Sequence, residues 1–317
     1  MRKLKYSKAK CIARLEETKS LDWYHKFEIV LGSGIETPGR LDVKGYEWRR
    51  NFVGLTEDFL RGKRVLDIGA YSGAFSFILE DLGAEVVAAD VYDPDLNGFN
   101  VVHDLRGSNV KHARMSVYDL DPEEIGLFDI VAFYGVFYHL KHPVLAFERC
   151  NSVLKDGGLF IGGGTGLDRW FHDSDPSCLE GANLDFITKE MVNNPKIMSV
   201  DNLNQLRLCG FAPDQFLKDK SNWFIPNLQC LLAWVEAAGF DVTGSHRNAM
   251  PIDRSWNADK RVFRSSLNFK AVKTGEPRLE YSIPPMKRFR IPTSYEVDTL
   301  KARIAELEAE VSQLKST

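Results

Sequence analysis

Residues 63–90 read KRVLDIGAYSGAFSFILEDLGAEVVAAD, and the fold follows from them. Val65 to Ile68 is a short apolar run of the kind that forms a strand buried on both faces. Gly69 and Gly73 turn the chain. From Ala74 to Leu82 the apolar residues Phe75, Ile78, Leu79 and Leu82 recur at helical spacing, and Gly83 ends the helix. Glu85 to Ala89 is a second apolar strand, and it stops at Asp90. The stretch predicts a βαβ unit with a glycine-bearing first turn and an acid closing its second strand. In such a unit the turn lets backbone approach a nucleotide-like ligand, and the acid accepts hydrogen bonds from ribose hydroxyls.

The turn is not that of a dinucleotide site. Asp67 stands two residues before Gly69, inside the strand end. A carboxylate buried there crowds a pyrophosphate but suits a ligand that carries an amine and no phosphates. The plainer use of the same glycines is a tight turn in a doubly wound domain.

Composition sets bounds. At 317 residues the chain suffices for one large domain with additions, or two small ones. With 44% hydrophobic and 27% charged residues it has the makings of a soluble globular protein. A net charge of −3 gives no global attraction for nucleic acid. The five cysteines (Cys11, Cys150, Cys178, Cys209, Cys230) show neither pairing nor metal-ligand spacing, and read as reduced cytosolic residues. The basic start MRKLKYSKAK has no apolar run behind it, so neither a signal peptide nor a membrane span is expected.

Ahead of the βαβ unit, residues 1–60 form a helical and lid-like segment. A helix is expected from about Tyr6 to Lys19, with Ile12 and Leu15 on one side. Trp23 to Glu28 can run as a strand, and Gly32 to Gly39 is turn-rich. Two uses of this aromatic stretch stand level: Trp23 and Phe27 pack a lid onto the sheet, or Tyr24 and His25 line the mouth of the ligand pocket. Arg49 and Arg50, in the helix leading to the first strand, read as surface charge that an anionic acceptor can also use.

After Asp90, strands are expected at 110–117, 128–133 and 159–161. Asp119 either holds an adenine edge or caps a turn before Pro122. Ligands lie at the carboxyl ends of strands in an open α/β sheet, so Tyr134 to Pro143 should face them. His139 is the general-base candidate there, since imidazole titrates near neutral pH; capping the next helix is its plainer role. Tyr138 either orients a ligand or packs. Lys155 to Gly158 is a turn, and Gly162 to Gly166 lacks the Lys-Ser pair of a phosphate loop. Residues 167–221 break the alternation as a long insertion, the kind that carries specificity. A helix is expected to open at Asn222, followed by strands at 240–243 and 261–272. Val297, Leu300, Ile304, Leu307, Val311 and Leu314 trace a coiled-coil seam over 293–317, which points to a homo-oligomer, a terminal helix docked on its own chain being the plainer use.

Several spaced segments together resemble the class I S-adenosyl-L-methionine (SAM) methyltransferases, in the group related to the tRNA wobble-uridine methyl/carboxymethyltransferases. They are Trp23-Tyr24-His25 with Thr37-Pro38-Gly39, VLDIGAYSG (Val65–Gly73), GVFYHLKHP (Gly135–Pro143), and WFIPN (Trp223–Asn227) with the following helix and AAGF (Ala237–Phe240). Tyr71 stands where that family's first motif usually has its middle glycine. The resemblance implies a Rossmann-like seven-stranded sheet over about 61–275, with helices on both faces and an antiparallel last strand. It implies SAM as cofactor, held by Asp67, Gly69, Tyr71, Gly73, Asp90, Asp119 and Tyr134, and catalysis by His139 with Tyr138 and His25. No metal is implied, because Tyr134 and not an acid ends the fourth strand. The expected acceptor is an oxygen or nitrogen of a glycan or small metabolite. A tRNA wobble uridine is the alternative, disfavoured by the acidic balance. A non-catalytic SAM-binding or assembly subunit, working through the coiled coil, is the third reading.

Overall fold

The computed structural model describes residues 3–43, 45–166, 207, 209–211, 221–249, 265–275 and 277. The expected coiled coil and most of the expected insertion lie outside them.

In chain order the elements are α1 (Lys8–Glu17), β1 (His25–Lys26), β2 (Leu41–Asp42), α2 (Gly45–Val53), α3 (Glu57–Leu60), β3 (Arg64–Ile68), α4 (Ala74–Asp81), β4 (Glu85–Asp90), α5 (Phe99–Arg106), β5 (Lys111–Arg114), α6 (Pro122–Ile125), β6 (Phe128–Tyr134), α7 (Pro143–Ser152), β7 (Leu154–Gly166), β8 (Cys209–Phe211), β9 (Phe224–Pro226), α8 (Leu228–Ala237), β10 (Phe240–Ala249) and β11 (Ser265–Lys273). Seven strands make one Rossmann-like sheet in the order β10-β11-β7-β6-β3-β4-β5. The neighbours from β7 to β5 are parallel, and β11 runs antiparallel to both β7 and β10. The strand order reverses between β3 and β6, which opens a crevice at their carboxyl ends.

The apolar runs explain the layering. Val65, Leu66, Asp67 and Ile68 are all buried, so β3 is covered on both faces. One face packs Val65, Ile130 and Ile161 against α4, α5 and the N-terminal segment. The other packs Leu66, Val131, Phe160 and Phe269 against α7 and α8.

Several expectations are corrected. In α1 the buried residues are Cys11 and Leu15, while Ile12 is exposed. Strand β5 covers 111–114 only, because Val117 to Asp119 tightens into a 3-10 turn. Helix α5 was not anticipated. Residues 155–158 do not end a turn-separated strand but bulge within β7: Phe128 faces Leu154 and Ile130 faces Leu159. The Gly162–Gly166 run is strand, and its glycines let β11 approach closely. A Cβ on Gly162 would meet Phe269 at 2.6 Å, and one on Gly163 would meet the Leu267 carbonyl at 2.3 Å. Helix α8 begins at Leu228 and not at Asn222, because Phe224–Pro226 pairs with β8 and Asn227 caps the helix by accepting from the Cys230 amide at 2.9 Å.

Trp23 and Phe27 are buried, as one reading expected, but against helices and not the sheet, whose face α4 and α5 already cover. The Trp23 ring lies on Gly98, where a Cβ would come within 2.4 Å, and Phe27 lies near Phe77. Among the described residues no helix is long and apolar enough to cross a membrane.

Candidate functional site

The site is built where β3 ends. Asp67 is buried there and accepts a hydrogen bond from Ser76 Oγ at 2.6 Å. Burial pushes its carboxyl up to about 7. Gly69 follows with φ +71°, and a Cβ on it would strike Val136 Cγ2 at 2.4 Å. Only glycine meets both conditions. Gly73, with φ +81°, starts α4 between the rings of Phe77 and Phe99.

Tyr71, the residue in place of a glycine, adopts φ +49°. Its neighbours hold that uncommon conformation. Its amide donates to Asp90 Oδ2 at 2.7 Å, its carbonyl accepts from Asn97 Nδ2 at 3.0 Å, and its hydroxyl donates to Asp22. Asp90, at the end of β4, also accepts from the Tyr92 amide at 2.9 Å. Burial raises its pKa.

Helix α2 brings Arg49 over this end of the sheet. Its guanidinium lies 5.1 Å from the Tyr46 ring and 5.0 Å from the Tyr134 ring, and it makes no ion pair among the described residues. Tyr46 is pushed up to about 12 by burial, and its hydroxyl lies 3.3 Å from His25 Nε2. His25 Nδ1 lies 3.1 Å from Ser72 Oγ. Burial, reinforced by Arg49, lowers the imidazole to about 4. His25 is therefore neutral near pH 7 with both nitrogens engaged, which suits positioning of Tyr46 and Ser72 better than proton transfer. The Tyr134 hydroxyl is buried with no hydrogen-bond partner among the described residues, and burial raises its pKa.

The structure thus gathers Asp67, Gly69, Tyr71, Gly73, Asp90, Tyr134 and His25 at one end of the sheet. Tyr138 and His139 form a second cluster, in the 3-10 turn after β6. Tyr138 packs on the opposite face, where a Cβ on Gly164 would meet its ring at 2.8 Å. His139 Nδ1 lies 2.8 Å from Ser221 Oγ. Asp119 closes a capping box with Ser116, the structural one of its two readings.

Sequence reasoning missed Arg49, Tyr46, Ser72 and Ser76. Arg49 was read as surface charge that an anionic acceptor can also use, and not as a group over the end of the sheet. The usable signal was the i, i+3 spacing of Tyr46 and Arg49, which puts both on one side of a helix whose Val53 is buried. Ser76 is one helical turn from Gly73, facing the strand.

Comparison with known proteins follows the same line. The family described as "Methyltransferase domain" matches residues 42–245. A tRNA U34 carboxymethyltransferase from Syntrophotalea carbinolica is 24% identical over 229 residues, 72% of this chain and 56% of that protein. A ubiquinone biosynthesis O-methyltransferase from Xanthomonas campestris pv. campestris is 38% identical over 104 residues, 32% of this chain and 43% of that protein. The chain spans about half the length of the curated relatives it matches. Among solved structures, the N-terminal domain of EvdMO1, crystallised in the presence of SAH and D-fucose, superposes with a TM-score of 0.52 at 16% identity, covering 86% of this chain and 98% of that one. The [4+2]-cyclase SpnF superposes at 0.50 with 13% identity, covering 83% and 92%. These two likenesses speak to the fold, and the second shows that the fold alone does not fix the reaction.

Proposed function

The chain belongs to the methyltransferase-domain family, whose methyl donor is S-adenosyl-L-methionine, and from that premise we propose that it transfers a methyl group to an oxygen or nitrogen of a small metabolite or glycan. The observation that carries this reading is the pairing of opposite charges at one end of the sheet. Arg49 is a cation without an ion-pair partner among the described residues, and Asp67 is a carboxyl that burial raises to about 7, so that it ionises near neutral pH. An amino-acid zwitterion answers both, with its carboxylate to Arg49 and its ammonium to Asp67. Asp90 keeps carboxylate lone pairs beyond those that accept from backbone amides, for the hydroxyls of a ribose.

Bound there, the cofactor supplies an electrophilic methyl on a sulfonium for an acceptor lone pair to attack in line. The protein's own work is positioning and exclusion of water. Tyr46, Tyr134 and Phe75 wall the methionine end; Phe75 meets Tyr134 at 5.3 Å between ring centroids. Tyr71 and Tyr92, 5.3 Å apart in edge contact, flank the turn above Asp90. Where the acceptor is a hydroxyl, His139 takes its proton, oriented through Nδ1 by Ser221.

The named relatives favour two acceptor classes, tRNA and a small hydroxylated molecule. The net charge of −3 supports the second, because phosphate contact draws on a basic face. The test is incubation of the protein with methyl-labelled SAM, with small hydroxylated and amine acceptors and bulk tRNA side by side. Label in the small-molecule arm supports the reading. Label in the tRNA arm alone replaces it with the tRNA reading, and label in neither overturns transfer to these classes.

A further inference from the structure

Two cysteines that show no pairing in the sequence are brought together by the fold, and the reading above gives them no work. Strand β8 runs antiparallel to β9, and Cys209 stands opposite Pro226 in that pairing. The chain leaves β9 through Asn227, whose side chain accepts from the Cys230 amide at 2.9 Å, so Cys230 lies in the first turn of α8. Helical side chains lean back toward the helix N-terminus. That of Cys230 therefore leans toward β9 and the strand paired with it. The Cys209 thiol meets it there and donates a hydrogen bond to the Cys230 sulfur. The Cys209 sulfur also lies 3.5 Å from the Gly210 carbonyl. Neither cysteine is in a disulfide.

The two thiols are unlike. The hydrogen bond from Cys209 holds Cys230 below the ordinary thiol range against the effect of burial, and the positive charge of Arg207 adds to it. The first turn of a helix, where the amides point outward, favours a thiolate in the same way. The same hydrogen bond and burial raise Cys209, which stays a thiol. Cys230 is buried, Cys209 is half-buried and Arg207 is exposed, so the pair is approached from the β8 side. Cys11 and Cys150 differ: both are buried, and burial pushes both thiols up, which suits inert packing. A thiolate in contact with a second thiol is the pairing that oxidation selects, because the second thiol resolves the first oxidised product.

We propose that Cys209 and Cys230 are an oxidation site, a dithiol that a small peroxide converts to a disulfide between β8 and the first turn of α8. The Cys230 thiolate attacks one peroxide oxygen. The O–O bond breaks and hydroxide leaves, taking up the proton that Cys230 had released, and Cys230 becomes a sulfenic acid. The Cys209 sulfur then attacks the Cys230 sulfur. The S–O bond breaks, and hydroxide leaves with the Cys209 proton as water. Two thiols and one hydrogen peroxide thus give one disulfide and two waters, the sulfurs losing the two electrons that the peroxide gains. The sulfurs, already in contact, close to about 2 Å. The bond makes β8, β9 and α8 one covalent unit. That unit is seated on the 3-10 turn after β6, where the Trp223 amide donates to the Tyr138 carbonyl at 2.7 Å. The inference stands independently of the cofactor reading.

The test exposes the full reduced chain to hydrogen peroxide, alkylates the remaining thiols with iodoacetamide after denaturation, and maps every cysteine by mass spectrometry over time. Wild type is compared with Cys209→Ser and Cys230→Ser. Circular dichroism shows whether each variant is folded, and an alanine at the same position replaces a serine variant that is not. The expected result in wild type is a Cys209–Cys230 linked peptide that dithiothreitol abolishes, formed about tenfold or more faster than any other cysteine is lost. In Cys209→Ser the oxidation should stop at a Cys230 sulfenic acid, trapped by dimedone. In Cys230→Ser the Cys209 thiol should stay open to alkylation. Wild-type Cys209 and Cys230 that remain alkylated no less than the other cysteines overturn the site. So does a link from either to Cys178, or Cys230 passing to sulfinic acid without a link. Sulfenic acid forming at Cys209 in Cys230→Ser as fast as at Cys230 in Cys209→Ser overturns the assignment of Cys230 as the attacking thiolate.

Discussion

Burial moves Asp67 and His25 in opposite directions, and each shift has a measurable consequence. Asp67 is raised to about 7, so its carboxylate is mostly neutral at pH 6 and mostly ionised at pH 8. If the ionised form holds the ammonium of the ligand, S-adenosylhomocysteine affinity rises about tenfold between those values and levels off above. In Asp67→Asn the titration should be weak and flat; a wild-type affinity independent of pH would contradict the assignment. In His25 the folded-state value falls to about 4, so between 4 and the ordinary 6.5 the unfolded chain binds the extra proton. That group's contribution to stability is therefore present above about 6.5 and is lost as pH falls toward 4. Urea unfolding at pH 7.5 and pH 5 should show a smaller loss in His25→Gln than in wild type; equal losses would show that His25 is not buried as a neutral ring. The placements of these two residues were unequally legible. The position of Asp67 was readable because its distance from Gly69 is fixed by one strand and one turn. The environment of His25 depends on Tyr46 and Arg49, which reach it from another element, and no local pattern carries that.

At the scale of elements, the parts set by local periodicity were legible and those set by partners were not. Strand β3, helix α4 and strand β4 follow from the 65–90 pattern to within a residue or two. Helix α5 (FNVVHDLR) was missed although Phe99, Val102 and Leu105, all buried, recur three positions apart on one side of it. Its place is fixed by tertiary contact as well. Arg106 at its end is buried, bonds the carbonyls of Ile29 and Phe77, and pairs with Asp81 at 2.7 Å. One side chain thus ties the N-terminal segment, α4 and α5 together. Arg106→Met should lower stability in urea by roughly 3–5 kcal/mol, the cost of breaking a buried pair from one side. A loss under about 1 kcal/mol would mean the three elements hold together without it. The glycine run at 162–166 was legible only as a place where backbone comes close to a ligand or another strand. It is the closeness of β11 and its Phe269 and Leu267 that leaves no room for side chains there.

At the scale of the molecule, one end of a doubly wound sheet has been specialised and the N-terminal segment has been folded back over it. Trp23 on Gly98, His25 on Ser72 and Arg49 on Tyr134 are three separate attachments of that segment to the sheet and its helices. The class of sheet was legible from one βαβ unit and the spacing of later strands. The wrap was not, because it depends on contacts between residues about 50 to 85 positions apart. The central claim is that this end of the sheet holds S-adenosyl-L-methionine through Arg49, Asp67 and Asp90. Its most direct test is calorimetric titration of S-adenosylhomocysteine into wild type, Arg49→Met and Asp90→Ala, each checked for folding. The account predicts saturable one-to-one binding to wild type, weakened roughly ten- to hundredfold when the Arg49 cation is removed, as for a lost charge-assisted hydrogen bond, and weakened again in Asp90→Ala. Absence of binding to wild type, or affinities unchanged in both variants, would contradict it.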